Sequence, residues 1–285
     1  MRASTKLKQM IQSGKTYLIP GAYDGLSCRI CQNAGAELIY ATGGGIARST
    51  GIPDMGLITP KEIADRLEQM VDAVDVPIIG DMDTGYGNSL NAIRALRAYE
   101  KVGLAGFHIE DQVFPKRCGH YEGKEVVPAE ELVGKIRALK DAATDPDMVV
   151  IARTDALAVE GIDKAIERMH KYMAAGADVA FIEAPLAMAE LELICRQVAY
   201  PKFVNMLAFG KTPILSVREL EDMGFKMVVA PIDSVLLTAR VMREMAEVFA
   251  RDGHTRALED QMVRFDEIKR ILGVERFLSL RDTLK

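Results

Sequence analysis

Residues 107–124, with the sequence FHIEDQVFPKRCGHYEGK, bring carboxylates, histidines, cations, a cysteine and two glycines into one short segment. The segment begins in an apolar run, 104–109, which is typical of a buried strand, and continues without a helical or alternating period. This pattern predicts a strand that delivers polar side chains to its own end and to a mobile loop at 113–123. A fold has little structural need for the run KRCGH at 116–120, so chemistry on an anionic substrate is the better reason for it.

Cys118 is the candidate reactive thiol of this segment. It follows Lys116 and Arg117 and precedes a glycine and a histidine, and neighbouring cations favour the thiolate form of a cysteine. An isolated cysteine is more often a small buried residue, and that interpretation suits the other three cysteines, which lie in segments with helical spacing. The CxxC at 28–31 lacks the second pair or nearby histidine that a zinc site needs.

Polar residues also stand at the carboxyl ends of other apolar runs, where a barrel carries its active site. They are Thr42, Gly43, Gly44, Asp81, Asp83, His108, Glu110, Arg153, Asp155, Glu183 and Asn205. Alternation along a strand gives Asp81 and Asp83 one direction, and His108 and Glu110 one direction. Converging carboxylates repel each other unless a cation lies between them, and oxygen ligands suit Mg²⁺ or Mn²⁺. At any single position the alternative stays open that the acid caps a helix or pairs with Arg153.

The elements that must position these residues follow from the hydrophobic pattern. Segments with helical spacing alternate with eight short apolar runs, at 17–20, 38–41, 76–80, 104–109, 148–152, 179–182, 202–205 and 226–230. Strands that are apolar throughout indicate a parallel sheet covered by helices. Eight such units predict an α/β protein of one (β/α)8 TIM barrel domain over residues 1–285, with 255–285 as a helical extension. Glycine follows three of the helical segments, at Gly35, Gly103 and Gly176, as a left-handed helix cap requires.

The composition excludes several classes of protein. The chain has 285 residues, 49% of them hydrophobic and 27% charged, which is an ordinary balance for a globular protein. A net charge of −5 argues against a nucleic-acid surface. We expect no membrane association, because no apolar run reaches membrane-spanning length, and a cytoplasmic location, because the first residues lack an apolar signal region. Four cysteines in a chain of this length suit a reducing compartment.

Six ordered motifs and the KRCGH run resemble the isocitrate lyase/phosphoenolpyruvate mutase superfamily over nearly the whole chain. The motifs are GAYD at 21–24, YATGGG at 40–45, PDMG at 53–56, DMDTGYG at 81–87, HIEDQ at 108–112 and ARTD at 152–155. The KRCGH run is similar to the signature of the carbon–carbon lyases in that group. The resemblance implies a (β/α)8 barrel, an essential Mg²⁺, for which Mn²⁺ could substitute, and a mobile loop that carries the cysteine. It also implies a homotetramer, built as a dimer of dimers that exchange the last helix.

The resemblance further implies roles for individual residues. Four carboxylates would surround the metal, with Asp83 as the direct ligand; the other three, some acting through water, are Asp81, Glu110 and Asp54. The substrate would contact Tyr40, Thr42, Gly43, Gly44, Asp81, His108, Arg117, Gly119, His120, Arg153, Glu183 and Asn205. Cys118 would be the general acid, and the other catalytic residues would be Tyr40, Arg153, Lys116, His120 and Glu110. The base that removes the hydroxyl proton stays open between Tyr40 and a metal-linked water relayed by an acid.

The implied reaction is retro-aldol cleavage of a 2-hydroxy di- or tricarboxylate to pyruvate and a short carboxylate. After the histidine of the signature the loop reads YEGK at 121–124, which is more similar to lyases of 2-alkylmalates such as 2,3-dimethylmalate than to 2-methylisocitrate lyases. The latter carry an arginine after strand eight for a third carboxylate, and residues 231–237 contain none. We therefore expect a dicarboxylate substrate, giving pyruvate and propionate. The alternatives are a 2-methylisocitrate lyase giving pyruvate and succinate, an oxaloacetate hydrolase or decarboxylase, a phosphonomutase, and a non-catalytic binding protein.

Overall fold

The computed structural model describes residues 1–119 and 122–283, and its centre is a closed barrel of eight parallel strands. The strands are β1 (Tyr17–Ala22), β2 (Ile39–Ala41), β3 (Ile78–Asp81), β4 (Gly106–Glu110), β5 (Val149–Thr154), β6 (Val179–Ile182), β7 (Lys202–Asn205) and β8 (Phe225–Ala230). Each strand pairs with the next along the chain, and β1 pairs with β8 to close the ring. The predicted (β/α)8 barrel is confirmed.

Helices follow the strands around the barrel. They are α1 (Ala3–Gln12), α2 (Gly25–Asn33), α3 (Gly43–Ser49), α4 (Pro60–Ala73), α5 (Ser89–Lys101), α6 (Ala129–Ala142), α7 (Leu157–Glu160), α8 (Ile162–Ala174), α9 (Met188–Gln197), α10 (Val217–Asp222), α11 (Asp233–Asp252), α12 (Phe265–Leu272) and α13 (Val274–Thr283), with a 3-10 helix at Arg256–Gln261. Local chemistry fixes several starts: Thr59 and Glu62 form a capping box before Pro60. The predicted caps Gly35, Gly103 and Gly176 all have positive φ.

The apolar core lies in two shells. The outer shell fills the space between the strands and the surrounding helices. The inner shell consists of alternate strand residues such as Ile79, Ile151 and Phe181, together with Leu7 and Met10 of α1. Because the inner residues at the first positions of the strands pack with α1, this helix closes the amino-terminal end of the barrel. Catalytic chemistry is left to the opposite end.

Strand parity brings polar residues to that opposite end. In β5, Val149 and Ile151 point into the barrel, so Arg153 at the end of the strand points inward too. The same alternation carries β6 from Val179 and Phe181 to Glu183 just beyond the strand. Since all eight strands are parallel, their carboxyl ends lie at the same end of the barrel, and their last inward residues meet there.

The carboxyl-terminal stretch is helical, as predicted, but it is not one helix. It consists of the 3-10 helix, α12 and α13, and Gly273 with a φ of +68° ends α12. Neither α12 nor α13 buries a residue, and the side chains of Phe265 and Phe277 are largely exposed. Over residues 1–119 and 122–283, no helix has the length and apolar character needed to span a membrane.

Candidate active site

A cluster of buried carboxylates lies at the carboxyl end of β3. Asp81 ends the strand, Asp83 follows it, and Asp54 comes from the segment before α4. The ammonium of Lys116, from the 113–123 loop, lies between two of them, with Nζ 2.6 Å from Oδ1 of Asp54 and 2.9 Å from Oδ1 of Asp83. The sequence predicted that the acids converge, and they do; Lys116 is the cation that neutralises them here.

The prediction that strand alternation directs Asp83 into the cluster was wrong. Strand alternation does not reach Asp83, because β3 ends at Asp81. Asp83 instead has a φ of +46°, and its N–H donates a hydrogen bond to Oδ1 of Asp81 at 2.8 Å. Aspartate adopts this left-handed conformation more readily than most residues do. A tight turn, not the pleat, therefore directs Asp83 into the cluster.

The two aspartates have opposite pKa shifts. Burial raises the pKa of Asp83 to about 6; the Lys116 ammonium opposes this shift, and repulsion from Asp81 and Asp54 adds to it. Burial also works against ionisation of Asp81, but contacts with His108, then the charge of Lys116 and the Asp83 N–H, hold its pKa below the usual range. The pKa of Asp83 thus stays raised although Lys116 contacts the cluster and Nη1 of Arg48 lies 3.9 Å from Oδ2 of Asp54.

Glu110 shows the same shortage of positive charge. Both of its carboxylate oxygens are buried and have no hydrogen-bond partner among the described residues. The nearest cation is Arg153, whose Nε lies 3.3 Å from Oε2 of Glu110. Burial raises the pKa of Glu110 well above its usual range, against the opposing charges of Arg153 and Lys116. A buried carboxyl without a partner indicates a missing ligand or proton.

These residues fit a hard divalent cation in their donor chemistry. Carboxylate oxygens are the ligands that Mg²⁺ and Mn²⁺ prefer. Glu110 has no hydrogen-bond partner among the described residues, and the pKa of Asp83 is raised even with Lys116 beside it, so both carboxylates would be stabilised by a further cation. In the present arrangement, no group of three His, Cys, Asp or Glu side chains within residues 1–119 and 122–283 is placed to hold a metal ion. Lys116 takes that position between Asp54 and Asp83, so it would have to move aside for the metal.

The predicted glycines lie against the carboxylate cluster. Thr42 caps α3 by accepting a hydrogen bond from the N–H of Gly45, which leaves Gly43 and Gly44 in the first turn. A Cβ on Gly44 would lie 2.8 Å from Oδ2 of Asp54, and a Cβ on Gly43 would collide with the Asp81 carboxylate. A side chain at either position would collide with these acids, and glycine therefore lets the backbone approach them this closely.

Tyr40 and His108 form the floor of the site. The Tyr40 hydroxyl lies 2.6 Å from Nε2 of His108, the two rings stack, and the same Nε2 lies 3.4 Å from Oδ1 of Asp81. Burial, and then the charge of Asp81, raise the pKa of Tyr40 well above its usual value. Tyr40 therefore keeps its proton at neutral pH, which suits a hydrogen-bond donor better than a base.

Arg153 forms the opposite wall. Its guanidinium binds Asp155 in a bidentate pair, with Nε 2.9 Å from Oδ2 and Nη2 3.1 Å from Oδ1. It also lies 3.9 Å from Glu183, which accepts a hydrogen bond of 3.1 Å from the amide of Asn205. Burial opposes its charge, but Asp155, Glu110 and Glu183 raise the pKa of Arg153 well above the usual value. The wall presents a fixed cation at a site that otherwise carries excess negative charge.

Residues 113–119 of the predicted loop lie over this site. Gly119 packs so tightly against Arg153 and Glu183 that a Cβ on it would lie 2.8 Å from Cγ of Glu183. The backbone N–H and carbonyl of Arg117 form hydrogen bonds with the side chain of Gln112. Cys118, which lies between Arg117 and Gly119 in the chain, is partly buried. The structure therefore shows residues 116–119 of the loop closed on the barrel mouth. The predicted site residue His120 lies outside the described residues.

Sequence reasoning gave no role to four residues that organise the site. Asp155 ends the ARTD motif and pairs with Arg153, and Arg48 donates to the Gly44 carbonyl at 2.8 Å. Gln112 and Lys124 flank the loop and hold it from both sides. The charges of Asp155 and Lys124 were visible in the sequence, but nothing in their spacing showed that they meet.

Known proteins resemble the chain over almost all of its length. The family model described as phosphoenolpyruvate phosphomutase matches residues 7–250. The 2,3-dimethylmalate lyase of Eubacterium barkeri is 38% identical over 277 residues, which make up 97% of this chain and 96% of the relative. The 2-methylisocitrate lyase of Bacillus subtilis (strain 168) is 40% identical over 260 residues, or 91% of this chain and 86% of the relative.

A solved structure agrees with the sequence relatives. A crystal structure of a 2,3-dimethylmalate lyase superimposes with a TM-score of 0.94 and 34% identity, covering 100% of this chain and 96% of that one. Members of this group depend on divalent metals. The fold, the acid cluster and these relatives lead to one conclusion: the chain belongs to the phosphoenolpyruvate mutase/isocitrate lyase superfamily and is a carbon–carbon lyase of that superfamily.

Proposed function

We propose that this protein is a Mg²⁺-dependent lyase that cleaves a 2-hydroxy dicarboxylate of the 2-alkylmalate type, such as 2,3-dimethylmalate, to pyruvate and propionate. The observation that carries the proposal is the contact of Gly119 with Arg153 and Glu183. It brings the loop with Cys118 to the same end of the barrel as the carboxylates and the glycines of α3. Cys118 directly precedes Gly119, so the thiol is carried by the segment that contacts Arg153 and Glu183, and this supports a role for it at the site.

In this mechanism the protein's own groups bind and orient the substrate. The 2-oxoacid half lies against Tyr40, Thr42 and the backbone of Gly43 and Gly44, and Arg153 binds the second carboxylate or the developing oxyanion, for which a planar guanidinium is suited. His108, Glu183 and Asn205 line the remaining wall. When bound, a divalent cation would supply positive charge to the oxyanion, held by Asp83 with Asp81, Glu110 and Asp54 nearby.

The reaction moves two protons. The substrate hydroxyl loses its proton, its oxygen becomes the carbonyl of pyruvate, and the bond between C2 and C3 breaks with its electrons passing to an enediolate. Cys118 then donates a proton to the enediolate carbon, which gives propionate. The first proton goes to a carboxylate of the cluster, directly or through water, rather than to Tyr40, because Tyr40 keeps its own proton. The closed loop excludes water from the enediolate.

A dicarboxylate is favoured by the charges beyond β8. Residues 231–237 contain no arginine, and α11 begins there with Asp233, which has a buried oxygen without a hydrogen-bond partner among the described residues. Arg240 and Arg243 are exposed farther along α11. A third substrate carboxylate at this position would be buried without a cation, which is costly.

Cleavage of 2-methylisocitrate is the second candidate, favoured by the 40% identity to the Bacillus subtilis relative. The two candidates differ only in whether a third carboxylate is accepted. Purified enzyme with Mg²⁺ should therefore be given both substrates, with pyruvate release followed through lactate dehydrogenase. Faster cleavage of 2,3-dimethylmalate is expected. The reverse ranking would replace the first candidate by the second. Oxaloacetate as a third substrate tests the decarboxylase alternative through pyruvate release and the hydrolase alternative through formation of oxalate and acetate.

We propose in addition that the chain forms one domain over 1–285 and acts in the cytoplasm as a homotetramer of helix-exchanged dimers. The support is that α12 and α13 bury none of their side chains although they carry apolar residues such as Phe265, Phe277 and Leu280. Such a surface is stabilised when a second subunit covers it. Sedimentation velocity of the full chain and of a variant ending at 264 tests this, because loss of the helices should reduce the assembly.

A further inference from the structure

We propose that Lys124 is a positioning residue that latches the 113–123 loop in its closed position and couples that position to Arg153 through Asp155. The effect of Lys124 on turnover rests on the function proposed above, whereas its effect on the position of the loop does not. Neither the lyase relatives' names nor the motifs assign a role to Lys124.

The contacts of Lys124 join the loop to the barrel. Its Nζ lies 2.5 Å from the carbonyl oxygen of Gly119 and 2.7 Å from Oδ1 of Asp155. Gly119 is the loop residue that packs against Arg153 and Glu183. One ammonium therefore ties the loop backbone, directly beside Cys118, to a carboxylate at the end of β5.

Asp155 is shared between the latch and the substrate-binding cation. It is fully buried, and it accepts two hydrogen bonds from Arg153 besides the one from Lys124. If the loop opens and withdraws Gly119 and Lys124, Asp155 loses one of the two cations that pair with it among the described residues. The orientation of Arg153 and the closure of the loop are thus linked through one carboxylate.

The opposite limb of the loop is held independently. Val113 and Glu125, and Asp111 and Val127, are joined by backbone hydrogen bonds, so the two limbs pair at the base of the loop. Above this base, the side-chain amide of Gln112 donates to the carbonyl of Arg117 and accepts from its N–H. The backbone pairs at the base and Gln112 hold residues 113–117, and Lys124 holds Gly119 against the barrel.

Burial indicates that Lys124 acts in the closed state. The side chain of Lys124 is 3% exposed, and a buried ammonium is tolerable only with a partner such as Asp155. Hydrogen bonds that involve a charged group are also stronger than neutral ones. The closed loop therefore gains most from this pair, whereas an open loop would leave Lys124 in water.

The test uses the thiol of Cys118 as a reporter of the loop. Full-length wild type, Lys124→Met and Lys124→Arg are alkylated with iodoacetamide, without ligand and with Mg²⁺ plus oxalate, and peptide mass spectrometry follows modification at Cys118. Lys164→Met is the matched control, because Lys164 is an exposed lysine that pairs with Glu167 on α8.

Loss of a charge-assisted buried pair predicts that Cys118 of Lys124→Met reacts about tenfold or more faster than wild type. Lys124→Arg should recover most of the protection, and Lys164→Met should match wild type. Equal rates in wild type and Lys124→Met, within about twofold, would overturn the latch. If Lys124→Met does not fold, Lys124→Gln, which keeps a donor without the charge, is measured in its place against the same two outcomes.

A kinetic comparison separates positioning from general structural support. Loss of the latch in Lys124→Met should lower kcat more than it raises KM, with recovery in Lys124→Arg and a melting temperature close to that of wild type. If kcat and the melting temperature both fall in Lys124→Met and in Lys124→Arg alike, the role of Lys124 is structural and the latch is contradicted. Because alkylation needs no turnover, the latch can hold even if neither substrate is cleaved, and the substrate panel can succeed even if the latch fails.

Discussion

The ammonium of Lys116 lies 2.9 Å from Oδ1 of Asp83, the residue expected to bind the metal directly. A residue of the closing loop thus occupies the acid cluster in which a divalent cation would sit. Both cations cannot take the same place, since like charges repel strongly in a buried site. Metal binding and the position of Lys116 should therefore be antagonistic.

Replacing Lys116 by methionine should strengthen metal binding. The change removes one positive charge from the cluster and keeps the apolar stem. Because Mn²⁺ is then no longer repelled by the Lys116 ammonium, the dissociation constant for Mn²⁺ should fall by about tenfold. Titration calorimetry or Mn²⁺ electron paramagnetic resonance measures this. Lys164→Met should bind Mn²⁺ as wild type does, and weaker binding in Lys116→Met would mean that Lys116 assists the metal.

Replacing Asp83 by asparagine should stabilise the metal-free fold at pH 7. The pKa of Asp83 is raised to about 6 in the folded protein, against about 3.9 in an unfolded chain. Folded protein therefore loses stability as pH rises from about 4 to about 6, because the buried carboxyl must ionise. Asparagine escapes this loss and also tolerates the left-handed φ of +46°.

The gain should be on the order of 1–3 kcal/mol in the free energy of unfolding at pH 7, and it should disappear near pH 4. Urea unfolding in EDTA at the two pH values measures it. A variant that is destabilised at pH 7 would show that Asp83 gains more from Lys116 than burial and repulsion take away.

Removal of metal should abolish pyruvate release. The acid cluster carries too little positive charge by itself, with Glu110 lacking any hydrogen-bond partner among the described residues, and a divalent cation stabilises the developing oxyanion. EDTA should stop turnover, and Mg²⁺ or Mn²⁺ should restore it. Mg²⁺ should also raise the melting temperature of wild type but not of Asp83→Asn. Full turnover in chelator would remove the metal from the reaction.

Replacing Cys118 by serine should slow cleavage by roughly a hundredfold or more, the scale of a lost general acid. Cys118 lies partly buried in the loop and belongs to none of the core clusters, so the melting temperature should not change. Cys195→Ser, on α9 away from the barrel mouth, is the matched control and should keep full activity. A Cys118→Ser enzyme with near-normal rates would show that another group delivers the proton.

The amino-acid sequence was enough to predict the barrel and the meeting of polar residues at the carboxyl ends of its strands. Eight apolar runs with helical segments between them leave few other ways to bury strands on both faces. Parity along β4 placed His108 and Glu110 on one side, because side-chain direction in a strand depends only on local geometry. The prediction that Gly43 and Gly44 contact the substrate stays a prediction.

Tertiary structure alone decided which charges meet. Lys116 and Asp54 are 62 positions apart, and Lys124 and Asp155 are 31 apart, so their pairing depends on how the loop folds over the barrel. Asp83 enters the cluster through a left-handed turn, and Gly273 divides the extension into separate helices. Periodicity describes regular strands and helices; it carries no information on turns or on long-range ion pairs, whose geometry is set by packing between elements.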